Sequence, residues 1–129
     1  MRKIILSSIF TRKKVINPET IKELELRLEE DKKNPILHIK LADYIKRDDK
    51  TKAIYHYITA AEIMEKDGFY SRAAATYKQA LTLDESMLKI HLEIARCCNK
   101  LGLNNEACIE EQKYWDKYKK TSLLIIPGH

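Results

Sequence analysis

The sequence predicts an all-α fold in which antiparallel helix-turn-helix repeats, about six helices in all, stack into a short solenoid. Three observations carry this. The 129 residues include only three Gly and three Pro, too few turn formers for the many reversals of an all-β domain. Apolar residues recur at helical spacing in one segment after another, with mixed charges between them. Capping and breaking signals return about every 17 residues along the chain, as in a regular repeat.

Asn17-Pro18-Glu19-Thr20 reads as a helix start, with Asn17 as the cap and Pro18 in the first turn. From Glu19 to about Lys33, Ile21, Leu24 and Leu28 share a face. Asn34-Pro35 repeats the start signal, and the spacing of Ile36, Ile39, Leu41, Ala42 and Ile45 predicts a helix over 36–47. Asp48-Asp49 breaks it. A longer helix over 51–66 carries Ile54, Tyr57, Ile58, Ala61 and Met64 and ends at Asp67-Gly68, Gly being the usual left-handed stop. The next, over 69–83, carries Ala73, Ala74, Tyr77, Ala80 and Leu81, and Asp84-Glu85-Ser86 turns the chain. A helix over 87–101 follows, with Leu88, Leu92, Ile94, Ala95 and Cys98, stopped by Gly102. Asn104-Asn105 caps a last helix to about Lys119, with Ala107, Ile109, Trp115 and Tyr118. Turns this short force neighbours to be antiparallel. Each helix has one apolar stripe, so stacking must supply the core. The organisation expected is an N-terminal arm (1–17), a repeat domain (18–119) and a C-terminal tail (120–129).

The repeat has a signature. In its central unit, Tyr57-x2-Ala60-Ala61-x2-Met64 sets an aromatic, two small residues and a large apolar residue on the first helix. Gly68 sits at the turn, and Ala73-x3-Tyr77-x2-Ala80 sets a small, aromatic, small series on the second. The following unit has His91-x2-Ile94-Ala95-x2-Cys98, Gly102 and Ala107, then departs, with Glu111 in the aromatic slot and Tyr114 in the small one. Upstream, Leu41-Ala42 and Ala53-x3-Tyr57-x2-Ala60 form a unit whose turn is one residue short. In these positions the chain resembles the tetratricopeptide-repeat (TPR) family, over Asn34 to Tyr118. The resemblance implies a non-enzymatic adaptor, scaffold or assembly subunit that binds a partner protein. Tyr57 and Ala60 serve in two overlapping frames, which leaves open which helices line a groove.

If helices 36–47 and 87–101 line it, the ligand-facing positions are Ile39, Asp43, Arg47, Leu92, Arg96 and Asn99. Family members that clamp a terminal carboxylate place Lys and then Asn one turn apart on the opening helix. Ile39 and Asp43 stand there instead, so a chaperone-tail clamp is not expected.

Charge placement narrows the function classes. Residues 1–17 contain Arg2, Lys3, Arg12, Lys13 and Lys14 and no acid, and this arm carries the whole net charge of +5. The remaining 19 Lys and Arg match the 19 acids, so the body is neutral, and no nucleic-acid partner is expected. In the arm, Ile5, Ile9 and Phe10, with Ile4 and Leu6, lie beside Arg12 and Lys13. This pattern suits capping of the helix stack, docking to a larger assembly or, as the alternative function, peripheral attachment to a membrane through residues 1–14. The apolar run is too short to span a bilayer.

No Gly-rich phosphate loop or nucleophile-plus-base spacing appears, so no catalytic residue is expected. Cys97, Cys98 and Cys108 lack zinc spacing. Cys98 and Cys108 fall at core-like positions, and no metal or cofactor is expected. His38 and His91 occupy aromatic slots and read as packing residues, while His56 has no evident partner. Reduced thiols fit a cytoplasmic protein. An uncapped end of so short a stack would also allow self-association.

Overall fold

A computed structural model describes residues 18–125. Among them are six helices: α1 (Pro18–Glu30), α2 (Pro35–Ile45), α3 (Lys50–Lys66), α4 (Tyr70–Leu83), α5 (Leu88–Lys100) and α6 (Asn104–Ile125). The fold is all-α, and each helix packs against the next in the chain.

Local chemistry sets the boundaries. Asn34 caps α2, its side chain accepting from the Ile36 N–H at 3.0 Å, with Pro35 in the first turn. Asp49 caps α3 by accepting from the Lys52 N–H at 3.1 Å. Such caps satisfy amide donors that the first turn leaves without partners. The α3–α4 and α5–α6 turns use the same stop. Gly68 and Gly102 take φ of +86° and +79°. Around them Phe69 N–H reaches Met64 O and Leu103 N–H reaches Cys98 O, each at 2.8 Å, closing a Schellman pair that glycine alone adopts without strain. The α2–α3 turn, residues 46–49, has no glycine. The α4–α5 turn is held by Asp84, which accepts from the Ser86 N–H at 2.9 Å.

Contacts that skip a helix define two layers. Lys52 on α3 reaches Glu25 on α1 at 3.1 Å, and Arg96 on α5 reaches Glu65 on α3 at 2.5 Å. Helices α1, α3 and α5 therefore lie side by side, with α2, α4 and α6 forming the second layer. The core has two clusters. One gathers Leu24, Leu41, Ile45 and Tyr57; the other gathers Met64, Tyr77, Ile90, Ile94 and Cys97. Ile39, Ile58 and Met87 pack against both and join them. Ala42, Ala53, Ala60, Ala61, Ala73 and Ala80 are fully buried at the crossings, where a small side chain lets helices approach closely enough for the rings of Tyr57 and Tyr77 to fill the space between.

Two sequence-based expectations need correction. The last helix runs six residues past Lys119, so part of the expected tail belongs to α6. No Gly or Pro lies between Asn104 and Ile126, and Pro127 is the first residue able to stop it. His56 does have a partner, His38. Cys98 is buried as expected, and Cys97 is buried more deeply; the side chain of Cys108, residues 1–17 with Ile5, Ile9, Phe10, Arg12 and Lys13, and residues 126–129 lie outside the described residues.

Candidate functional site

The six groove positions expected from the sequence do not come together. Ile39 and Asp43 are on α2, in one layer, and Arg47 is in the turn that follows it; Leu92, Arg96 and Asn99 are on α5, in the other layer. Three of them serve the protein's own packing. Ile39 joins the two core clusters. Asp43 accepts a short hydrogen bond from the Tyr57 hydroxyl. Arg96 is held by Glu65 and Glu93, and Glu65 also accepts from the Tyr77 hydroxyl at 3.0 Å. Hydrogen bonds from Arg96, then from Tyr77, outweigh partial burial and lower the Glu65 pKa. Burial, with the carboxylates they serve, raises both tyrosines. Arg47 and Asn99 are exposed and Leu92 is half-buried.

A concave feature among the described residues lies elsewhere, between α4 and α6 of one layer, with α5 as its floor. Two adjoining depressions of about 360 and 370 Å³ share Lys78 and Glu110. Toward the α5–α6 turn the lining is mostly apolar: Ala74 and Ala75 on α4, Cys98 on the floor, and Leu101, Leu103 and Ile109 opposite, with Ser71 and Glu106 beside them. Toward the α4–α5 turn it is charged, with Lys113, Lys117 and Glu110 on α6 facing Leu81 and Thr82 on α4 and Glu85 in the turn, over a floor of His91 and Ile94. The physical reason for the opening is the α4 wall. Ser71, Ala74 and Ala75 are too short to reach α6 and close the seam, so α5 shows through. Leu101, Leu103 and Ile109 remain 42%, 44% and 56% exposed.

Beneath the charged half is a fully engaged polar cluster. His91 Nδ1 is 2.9 Å from Glu110 Oε2, Lys113 donates to Glu110 Oε1 at 3.2 Å, and Lys117 Nζ is 3.3 Å from His91 Nε2. An ammonium can only donate, so Nε2 accepts and the ring proton sits on Nδ1, where it is given to Glu110. Burial pushes the Glu110 pKa up, but the hydrogen bonds from His91 and Lys113 outweigh it and the net shift is downward. Both His91 nitrogens are thus committed to structure.

The α2–α3 hairpin carries a counterpart at the matching slots. His38 Nε2 is 2.9 Å from the Lys32 carbonyl, which can only accept, so His38 carries its proton there. Its Nδ1 then accepts from His56 Nδ1 at 2.9 Å. Burial, then His38 and Lys52, push the His56 pKa down to about 4. Burial also pushes the Cys97 thiol up to about 11 and raises Cys98, which keeps both protonated and weakly nucleophilic.

Among the described residues, no group of three or more His, Cys, Asp or Glu side chains is placed to hold a metal ion. No helix among them is long and apolar enough to cross a membrane. The groove was not read from the sequence because its walls are separated by an entire helix. The one available signal was the run of short residues Ser71, Ala74 and Ala75 at i, i+3 and i+4 on α4. No protein-family model matches the chain, and no curated protein sequence matches it.

Proposed function

We propose that the protein is a non-enzymatic interaction module that holds a segment of a partner protein in the α4–α6 groove. The observation that carries this reading is the division of the groove into a mostly apolar half and a charged half with three lysines and two carboxylates, on one floor. The 14 residues of α4 make a wall about 20 Å long, enough for roughly six extended residues. Apolar side chains of such a segment would cover Leu101, Leu103 and Ile109, and Lys78 at the junction would fix register by pairing with an acidic group. Internal packing and pairing of Ile39, Asp43 and Arg96 favour this groove over the α2 and α5 positions. The free, buried thiols of Cys97 and Cys98 fit a reducing compartment, and we place the protein in the cytoplasm.

Selection of the full chain against a displayed peptide library tests the reading. Wild type should enrich a family of apolar-acidic peptides, and Ala75→Trp, which fills the groove from an exposed position, should lose them at unchanged helicity. Peptides retained by Ala75→Trp would move the site elsewhere, and no enrichment at all would sink it. The membrane alternative rests on residues 1–14, which lie outside the described residues.

A further inference from the structure

The two terminal helices of the described stack carry exposed strips that match each other. On α3, the surface that receives α4 includes Ala61 and Met64, buried in one cluster with Ala73 and Tyr77, and Tyr57, buried in the other with Ala80. The corresponding α6 positions are Glu111, Trp115 and Tyr118. All three are exposed, Trp115 by 49% and Tyr118 by 47%, and the two rings contact each other at 5.8 Å between centroids. Helix α6 therefore leaves open the face that α3 covers, with Trp115 in place of Ala61, Tyr118 in place of Met64 and Glu111 in place of Tyr57.

At the other end, α1 turns Leu24 inward and leaves Leu26 62% exposed. Lys22, Leu26 and Glu30 stand at i, i+4 and i+8 on its outer face, and Lys22 and Glu30 are exposed. On α6, Glu111, Trp115 and Lys119 stand at the same spacing, and Glu111 and Lys119 are exposed as well. Both strips read charge, apolar, charge, with opposite signs. Laid parallel, they set Lys22 against Glu111, Leu26 against Trp115 and Glu30 against Lys119. Glu29 and Lys120, also exposed, extend the match. None of these charged side chains has a partner among the described residues. Antiparallel docking would instead oppose Glu30 to Glu111, so charge selects the parallel register.

We propose that the occupant of this open α6 face is α1 of a second copy of this chain, giving head-to-tail self-association. The two surfaces are at opposite ends of the stack, so the contact is heterologous and does not close on itself as a two-fold dimer does. The inference is independent of the groove reading, because neither strip lines the α4–α6 groove, and either can fail while the other stands.

Sedimentation velocity of the full chain over a range of concentrations tests it, with the emission of Trp115, the sole tryptophan, as a second readout. The expected result is a weight-average mass that rises past the dimer and a blue shift that rises with it. Lys22→Glu with Glu30→Lys, and separately Glu111→Lys with Lys119→Glu, should each weaken association by roughly tenfold or more, since two attractions become repulsions. An equimolar mixture of the two double variants should regain it, because each swapped strip meets its new complement. A wild type that stays monomeric throughout overturns the proposal. So does association that survives both swaps, which would point to another surface such as residues 1–17, and so does a mixture that fails to recover.

Discussion

Hairpins α2–α3 and α5–α6 fill matching slots, and the contrast between them separates what the repeat needs from what is particular to its end. His38 and His91 match, as do Leu41 and Ile94, Ala42 and Ala95, and Ala53 and Ala107; all are buried. In each hairpin the histidine meets a buried polar partner from the second helix, His56 in one and Glu110 in the other. Beyond that point the second helices diverge. Helix α3 continues with Tyr57, Ala60, Ala61 and Met64, and has a neighbour on both sides. Helix α6 continues with Glu111, Tyr114, Trp115 and Tyr118 and faces α5, across the groove, α4. The first series builds an interior; the second builds an edge.

Truncation at the interior series should produce the largest effect. Tyr57 is 2% exposed, fills the seam between α2 and α4, and donates to Asp43. Tyr57→Ala should cost about 3–5 kcal/mol, read as a lowered urea midpoint with unchanged slope. Tyr57→Phe keeps the ring and should cost about 1 kcal/mol, since Asp43 is exposed and water replaces the lost donor. If the two variants fall together, the hydroxyl rather than the ring holds the seam.

Acid separates the hairpins by their polar partners. For His56 the folded pKa, about 4, lies below the ordinary value of 6.5. The unfolded chain therefore binds more protons between these values, and stability falls as pH drops from 6.5 toward 4. At about 1.4 kcal/mol per unit this amounts to on the order of 2–3 kcal/mol. The lowered Glu110 pKa gives stability that is fully present above the unfolded carboxylate value of 4.5 and is lost as pH falls below it. Urea midpoints measured against pH should decline in two stages, and amide exchange should rise first in α2–α3. His56→Gln should remove the first stage and leave the second. A single stage shared by both hairpins would show that the two clusters titrate as one.

The two Schellman turns allow a smaller comparison. An added Cβ at Gly68 or Gly102 meets nothing within 4 Å, so the cost of alanine comes from positive φ alone. Gly68→Ala and Gly102→Ala should each destabilise by about 1 kcal/mol. Unequal losses would reveal that one turn can relax to another geometry.

How much of this was legible depended on sequence distance. Asn34, Asp49, Gly68 and Gly102 announce helix boundaries because capping acts within a few residues. Apolar spacing then identifies the stripes, which is why the alanines and tyrosines of the repeat could be placed in advance. The polar pairs were less accessible. His38 and His91 read as buried, but their partners emerge only when the two hairpins are aligned, which sets His56 and Glu110 three residues after Ala53 and Ala107. The layers were not accessible from the repeat unit alone. Because α3 serves in two frames, counting units put α2 and α5 on one face, whereas α1–α3 and α3–α5 contacts put them on opposite ones. A groove is a property of helices two apart, and nothing in either helix alone reports that distance.

The smallest stability effect should fall on the most conspicuous exposed side chain. Trp115 stands where α3 has Ala61 and is half exposed. Its ring contacts are with Tyr114 and Tyr118 on its own helix. In dilute solution, Trp115→Ala should therefore shift the urea midpoint by less than about 0.5 kcal/mol, against several for Tyr57→Ala. A large aromatic left half in water contributes little to the monomer and much to any surface that covers it. Repeating the measurement at rising protein concentration makes the distinction sharp. Wild type should gain stability with concentration by mass action and the variant should not. A loss of several kcal/mol already in the dilute monomer would instead make Trp115 part of the interior, and the boundary between interior and edge would have to move outward past α6.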